Sequence, residues 1–284
     1  MDFLQPTTWR EALNIRAERP DAVPVAGGTD VMVDLNFDRR RPAALLDLTR
    51  VPGLADWEAD DGWLRIGAGI TYTRVIDELG GRLPGLAQAA RTVGSPQIRN
   101  RGTVAGNLGT ASPAGDAFPP LLAAGAEVVL ASSRRERRVP LAEFCLGPKR
   151  SALRPDELIA AVRAPAAAGR QLFAKVGTRN AMVIAVVSFA LDLDVEQRRV
   201  GAAIGSAGPT PLRAAAAERF LEGVLADGSR LSASAVRRFG ELVAEAASPI
   251  DDVRGTAEYR RHALAVLARR TLSWAWADAR VRRR

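Results

Sequence analysis

The chain has one cysteine, Cys145, and one histidine, His262, in 284 residues. A lone thiol excludes an internal disulfide, a four-cysteine zinc site and an iron–sulfur cluster held by this chain alone. Any cluster chemistry must come from a partner. A lone imidazole excludes a histidine-rich metal site and leaves no histidine-centred triad, so neither metal catalysis nor nucleophilic hydrolysis is expected. Lysine is nearly as scarce, with only Lys149 and Lys175, so the net charge of +8 is carried by arginine. The basic runs at 39–41, 134–138 and 282–284 have no aromatic residues interleaved, and they read as solvated faces and a tail instead of a nucleic-acid groove. Residues 1–6 have neither the basic start nor the apolar stretch of a signal peptide. The longest apolar run, 181–191, is broken only by Ser188 and is far shorter than the roughly 20 residues of a membrane-spanning helix. It reads as a buried strand; no membrane span is expected, and the cytoplasm is the expected compartment.

What is present is a globular balance, 47% hydrophobic and 25% charged, at a length that favours a main body with a smaller attached domain. Thr8 to Glu11 fits a capping box ahead of a first helix. A strand at 22–26 runs into Gly27 and Gly28, and a helix follows from Val31. Further strands are expected at 44–48 and 63–66, and helices at 71–79 and 84–93. The passage 94–116 is polar and glycine-bearing, far longer than an ordinary connection, and reads as a binding element. Helix and strand resume at 121–124, 127–130 and 157–162. Residues 164–170 lack periodicity and mark the domain boundary. Strand patterns at 172–176, 182–193 and 200–206 then precede helical ones at 213–221, 234–247 and 258–276, as in an α+β module with helices on one face of an antiparallel sheet.

Two segments have the composition of an anion cradle: Val25-Ala26-Gly27-Gly28-Thr29-Asp30 and Thr103-Val104-Ala105-Gly106-Asn107. Glycine lets the backbone approach a ligand closely, so successive N–H groups can face phosphate oxygens. Thr29, Thr103 and Ser112 add hydroxyls, and Asn107 can both donate and accept. Each segment also reads as a simple turn, since glycine beside threonine or asparagine commonly serves turns alone. The usual nucleotide signatures are missing. Residues 67–72 place Tyr72 where a Rossmann fingerprint has its third glycine, and no P-loop occurs.

These segments, together with residues 66–71, 97–108 and 111–116, 155–159, 175–179 and 249–261, resemble the FAD-binding medium subunit of molybdenum hydroxylases, the family of the xanthine dehydrogenases and carbon monoxide dehydrogenase. The number, order and spacing of the motifs make the resemblance specific over nearly the whole chain. It implies an α+β chain: a two-part FAD domain of the vanillyl-alcohol oxidase type at 1–168, divided into approximately 1–55 and 56–168, then a C-terminal flavoprotein domain at 169–284. It implies an FAD diphosphate held between residues 25–30 and 103–107, with Val93, Asp116, Ile159 and Lys175 near the cofactor. It further implies an oxidoreductase subunit that takes electrons from 2Fe-2S clusters on a small subunit and passes them to an external acceptor. Molybdopterin would sit on a large subunit, in a dimer of heterotrimers, with no nucleic acid bound.

The sequence departs from the family at two places. Ala105 stands where many members have glycine, which is tolerated if its φ is negative and strained if not. Only Arg179 follows Lys175, where the family often has paired arginines. Asp116 reads either as a cap for a helix near Phe118 or, within the family pattern, as a contact to a cofactor hydroxyl or the adenine side. Lys175 reads either as an exposed strand lysine or as a cation beside the flavin. Cys145 reads as a small buried group and His262 as structural or surface. Trp274 and Trp276 point to different faces of one helix. A stand-alone flavin oxidase or reductase and a basic nucleic-acid-binding module are the alternative functions.

Overall fold

The computed structural model describes residues 1–228 and 230–281; the basic run expected as a tail at 282–284 lies outside them. The chain begins with β1 (Asp2–Leu4), α1 (Trp9–Glu18), β2 (Val23–Val25), α2 (Val31–Asn36) and β3 (Ala44–Asp47). The three strands pair in parallel in the order β1-β3-β2. The Thr8 hydroxyl caps α1 by accepting from the Glu11 amide. The Glu11 carboxylate reaches back to the Thr7 amide at 2.7 Å, one residue earlier than a capping box requires.

The middle of the chain holds β4 (Trp57–Asp60), β5 (Trp63–Gly67), α3 (Tyr72–Glu78), α4 (Pro84–Thr92), α5 (Pro96–Arg101), α6 (Val104–Thr110) and α7 (Phe118–Ala124). It continues with β6 (Glu127–Ala131), β7 (Glu136–Pro140), α8 (Leu141–Phe144), β8 (Cys145–Gly147), β9 (Arg150–Ser151) and β10 (Leu158–Pro165). An antiparallel sheet orders five of these strands β4-β5-β10-β6-β7, while β8 and β9 pair separately. The passage 94–116, read as a binding element, contains α5 and α6, capped by the hydroxyls of Ser95 and Thr103. In the run 134–138, read as a solvated face, Arg134, Arg135 and Arg138 are exposed, and Arg137 on β7 pairs with the buried Glu157 at 2.7 Å.

The C-terminal part comprises β11 (Arg170–Val176), β12 (Val187–Asp194), β13 (Arg199–Gly205), β14 (Leu212–Arg213), α9 (Ala215–Ala226), α10 (Ala233–Glu245) and α11 (Ala257–Val281). The strands form an antiparallel sheet in that order. Side chains alternate across it. Val187, Phe189, Leu191 and Leu193 enter a core with the C-terminal helices, where Phe189 meets Phe239 edge-on at 6.2 Å. Ala190 and Ala203 enter the core of the middle segment instead.

Every residue of β12 is therefore buried. The sequence led us to expect helices on one face only; the second face is covered by α4 and α7. The approach is so close that a Cβ at Gly201 would stand 1.9 Å from the Ala123 carbonyl oxygen. The strand expected over 182–193 starts only at Val187, because residues before it turn away, with Arg179 donating to the carbonyls of Ala181 and Met182. No helix among the described residues is long and apolar enough to cross a membrane.

Candidate functional site

The two glycine segments meet. Gly27 lies against the backbone that leads into α6: a Cβ there would stand 1.9 Å from the Arg101 carbonyl oxygen and 2.9 Å from the Gly102 nitrogen. Gly102 in turn faces the Thr29 hydroxyl, which would lie 3.4 Å from a Cβ built on it. Thr110 closes the contact from the far end of α6 by donating to the Asp30 carboxylate at 3.2 Å. The first bend leaves β2 at Val25, whose carbonyl accepts from the Leu48 amide. It turns through Ala26 and Gly27 to Gly28, at φ +75°. The amides of Gly27, Gly28, Thr29 and Asp30 donate to no protein oxygen among the described residues. Unpaired amides in succession, at the start of α2, are donors of the kind that a phosphate accepts from.

The second bend is organised by Thr103. Its backbone bridges to Thr71, and its buried hydroxyl accepts from the Gly106 amide at 2.9 Å. Val104 and Ala105 are buried beneath the start of α6. Ala105 sits inside that helix and is not among the residues of positive φ. The family glycine can thus be replaced by alanine here without backbone strain. Gly106 remains exposed, and Asn107 accepts from the Ala117 amide at 3.3 Å. Asn107 thereby ties α6 to the turn in which Ser112 accepts from the Ala114 amide.

Asp116 follows that turn and does not cap α7; Ala117 holds the cap position without a side-chain bond. Instead the Asp116 carboxylate accepts from the Lys175 ammonium at 2.6 Å, joining the middle segment to β11. Lys175 also donates to the Thr92 carbonyl at 3.2 Å. It is buried, which corrects the reading of an exposed strand lysine. Burial pushes the Asp116 carboxyl above its ordinary range, against the opposing pull of Lys175. Its second oxygen, Oδ1, is buried without a hydrogen-bond partner among the described residues.

Beyond this pair opens a cleft of about 400 Å³, lined by Arg91, Thr92, Gly94, Arg99, Lys175 and Arg179 among others. Val93 lies at its edge, between Thr92 and Gly94, and its carbonyl accepts from Arg99 at 3.1 Å. Ile159 is not brought to the cleft. It is buried on β10 under α6, where a Cβ on Gly109 would touch its side chain at 3.5 Å. His262 is exposed on α11, and Cys145 is half-buried, its thiol raised by desolvation. Trp274 is 56% exposed, whereas Trp276 packs against the C-terminal core.

Sequence reasoning gave Arg101, Gly102 and Tyr72 no part in the site. Arg101 and Gly102 supply the backbone against which Gly27 rests, and their signal in the sequence was their place in the motif 97–108, directly before Thr103. Tyr72 is buried, 2% exposed, and its hydroxyl has no partner among the described residues. Burial, and then the charges of Asp116 and Asp30, push its phenol well above the ordinary range, so it stays protonated.

Residues 1–167 match the model of the FAD binding domain in molybdopterin dehydrogenase, and residues 173–275 match that of the CO dehydrogenase flavoprotein C-terminal domain. The chain is 31% identical to a putative xanthine dehydrogenase FAD-binding subunit of Escherichia coli K12, over 98% of this chain and 96% of that one. It is 31% identical to the alpha subunit of the 6-hydroxypseudooxynicotine dehydrogenase complex of Paenarthrobacter nicotinovorans, over 98% and 95%. In fold it is similar to a chain of carbon monoxide dehydrogenase from Hydrogenophaga pseudoflava, with a TM-score of 0.91, 28% identity and 98% of both chains covered.

Proposed function

Since the chain belongs to the family of FAD-binding domains in molybdopterin dehydrogenases, we propose that it is the electron-transfer flavin subunit of a molybdenum hydroxylase complex. It takes electrons from 2Fe-2S clusters on a small partner subunit and passes them to an external acceptor. The molybdenum centre resides on a large subunit, and the assembly is a cytoplasmic dimer of heterotrimers. The names of the relatives, subunits of dehydrogenase complexes, support this reading. So does the lone cysteine, which obliges any cluster to sit on another chain.

The observation that carries the cofactor assignment is the row of unpaired amides from Gly27 to Asp30, set against the start of α6. These amides, with the Thr29 hydroxyl and the exposed Gly106, would hold the diphosphate of FAD. Asp116 and Lys175 would face the remainder of the cofactor, with Val93 at the rim of the cleft. Bound FAD supplies the redox chemistry, since it accepts electrons singly and releases them in pairs. The chain's own part is binding, orientation and electrostatics. Lys175, fixed between Asp116 and the Thr92 carbonyl, would supply a cation near the flavin that favours its anionic reduced form. No residue of the chain needs to act as acid or base on an organic substrate, whose oxidation takes place on the large subunit.

The test is mild purification of the native protein, followed by a flavin spectrum and identification of the accompanying chains. The expected result is a yellow protein that travels with an iron–sulfur chain and a molybdenum chain. A colourless protein that takes up no added FAD would refute the cofactor assignment. A yellow, active chain without partners would replace the complex with a stand-alone flavin oxidase or reductase.

A further inference from the structure

The cleft beyond Lys175 carries charge of one sign. Arg91, Arg99, Lys175 and Arg179 line it, and no aspartate or glutamate does. Asp116 neutralises Lys175 at 2.6 Å. None of the three arginines has a carboxylate within ion-pair distance among the described residues. Backbone holds two of them in place. Arg99 donates one terminal nitrogen to the carbonyls of Arg91, Val93 and Gly94 at 3.4, 3.1 and 3.0 Å, and Arg179 donates to those of Ala181 and Met182. A carbonyl fixes a guanidinium without cancelling its charge, so the cleft is positive and ordered before anything enters it.

The FAD diphosphate does not account for that charge, because no residue of the two bends, 25–30 or 103–107, lines the cleft. Nor is the wall purely polar. Pro96, Ala181, Met182 and Val183 add apolar surface to it, and its volume of about 400 Å³ falls in the range of small-molecule sites. Apolar surface beside uncompensated guanidiniums suits a flat organic body that bears a negative charge. Lys175 belongs both to this wall and to the residues assigned to the cofactor, so a molecule held in the cleft would lie beside the flavin.

We propose that the cleft binds the external electron acceptor and that this acceptor is an anionic aromatic oxidant, recognised by Arg91, Arg99 and Arg179. This rests on the FAD reading above and deepens it by naming the acceptor's chemical class. A neutral quinone gains nothing from three uncompensated charges, whereas an oxidant bearing a sulfonate, carboxylate or phosphate does. Arg91 is exposed and its side chain makes no hydrogen bond among the described residues, so it can turn onto the ligand.

The experiment uses the full chain loaded with FAD, as wild type, Arg91→Gln and Arg179→Gln; Arg99 is kept because it also braces the corner at Val93. The probes are naphthoquinone sulfonate and uncharged naphthoquinone. Calorimetry measures their binding to the oxidised chain. Stopped flow measures reoxidation of the chain after stoichiometric reduction with dithionite, each quinone taking two electrons and two protons from reduced FAD to give FAD and the hydroquinone. Each variant is compared with wild type for the same quinone, so the different potentials of the two quinones cancel. In both variants, affinity and reoxidation rate for the sulfonate should fall about 3- to 10-fold more than for the neutral quinone, and this difference should shrink at about 1 M salt. Equal losses for the two quinones overturn the proposal, as does a difference indifferent to salt. Weaker binding of FAD itself by Arg91→Gln also overturns it, since the arginine would then hold the cofactor. If the wild-type chain takes up no FAD, it is the reading beneath the proposal that fails.

Discussion

The α-carbon of Gly27 faces the carbonyl oxygen of Arg101 with no room for a side chain: a Cβ there would stand 1.9 Å from that oxygen. Neighbouring backbone, and not a flexible side chain, would have to move. Gly27→Ala should therefore part the two bends at a cost of about 1–3 kcal/mol, the usual penalty for overfilling a packed site. Because that contact shapes the proposed phosphate cradle, FAD binding should weaken by at least about tenfold. Flavin fluorescence quenching on titration of the apo chain, beside far-UV circular dichroism, measures both. Wild-type affinity in the variant would show that the junction does not shape the site.

Lys175 and Asp116 form a buried pair, with side-chain exposures of 7% and 10%. Lys175→Met should strand the carboxylate and destabilise the apo chain by roughly 3 kcal/mol at neutral pH, as for a broken buried pair. The Asp116 pKa is already raised by burial, and losing the ammonium raises it further. An acid whose folded pKa lies above its unfolded one destabilises above that folded pKa. The penalty should thus fade as pH drops through it. Adding Asp116→Asn should restore most of the loss. Urea denaturation of the single and double variants across pH checks this, and a penalty independent of pH would contradict it.

Glu157 provides the opposite sign. Two hydrogen bonds from Arg137, at 2.7 and 2.8 Å, hold its carboxyl below the ordinary range despite burial, helped by the Arg154 amide. A depressed folded pKa gives stability that is present above the unfolded value and lost as pH falls through the folded one. Glu157→Gln should therefore lower the melting temperature at pH 7 and shrink its decline between about pH 5 and pH 3. Scanning calorimetry of the two proteins over that range is the measurement.

Arg260 is 4% exposed and donates to the carbonyls of Val186 and Ser206 and to the Asp252 carboxylate. Three separate segments lose a donor in Arg260→Ala, so a loss of roughly 3–5 kcal/mol is expected. Arg238 makes two ion pairs, but on the open face of α10, and exposed pairs contribute little. Arg238→Ala should leave the urea midpoint almost unchanged. Comparable losses in the two variants would overturn this ranking.

Much of this was legible in the residues. The bends declared themselves through Gly27, Gly28 and Gly106, and the order strand, glycine turn, helix at 22–36 followed from local pattern alone. The meeting of the bends was not legible, because nothing local shows that Gly27 will rest on the carbonyl of Arg101. The Asp116–Lys175 pair spans 59 residues and joins a turn to a strand in another sheet, so helix capping was the only local reading open to Asp116. Helices α5 and α6 were hidden because their caps, Ser95 and Thr103, sit among glycines and polar residues that also suit loops. Tyr72 was noted only where a Rossmann fingerprint has its third glycine. Only the buried, unanswered hydroxyl distinguishes it, and sequence does not display that.

The two-sided covering of β12 bears on how the protein can be divided. A fragment cut near residue 168 would strip the C-terminal sheet of its roof of α4 and α7 and leave an oily plane around Gly201 open to water. Such a plane invites clumping. The remaining piece would lose the ammonium that neutralises Asp116, so neither half should survive as a well-behaved protein or carry the flavin site by itself.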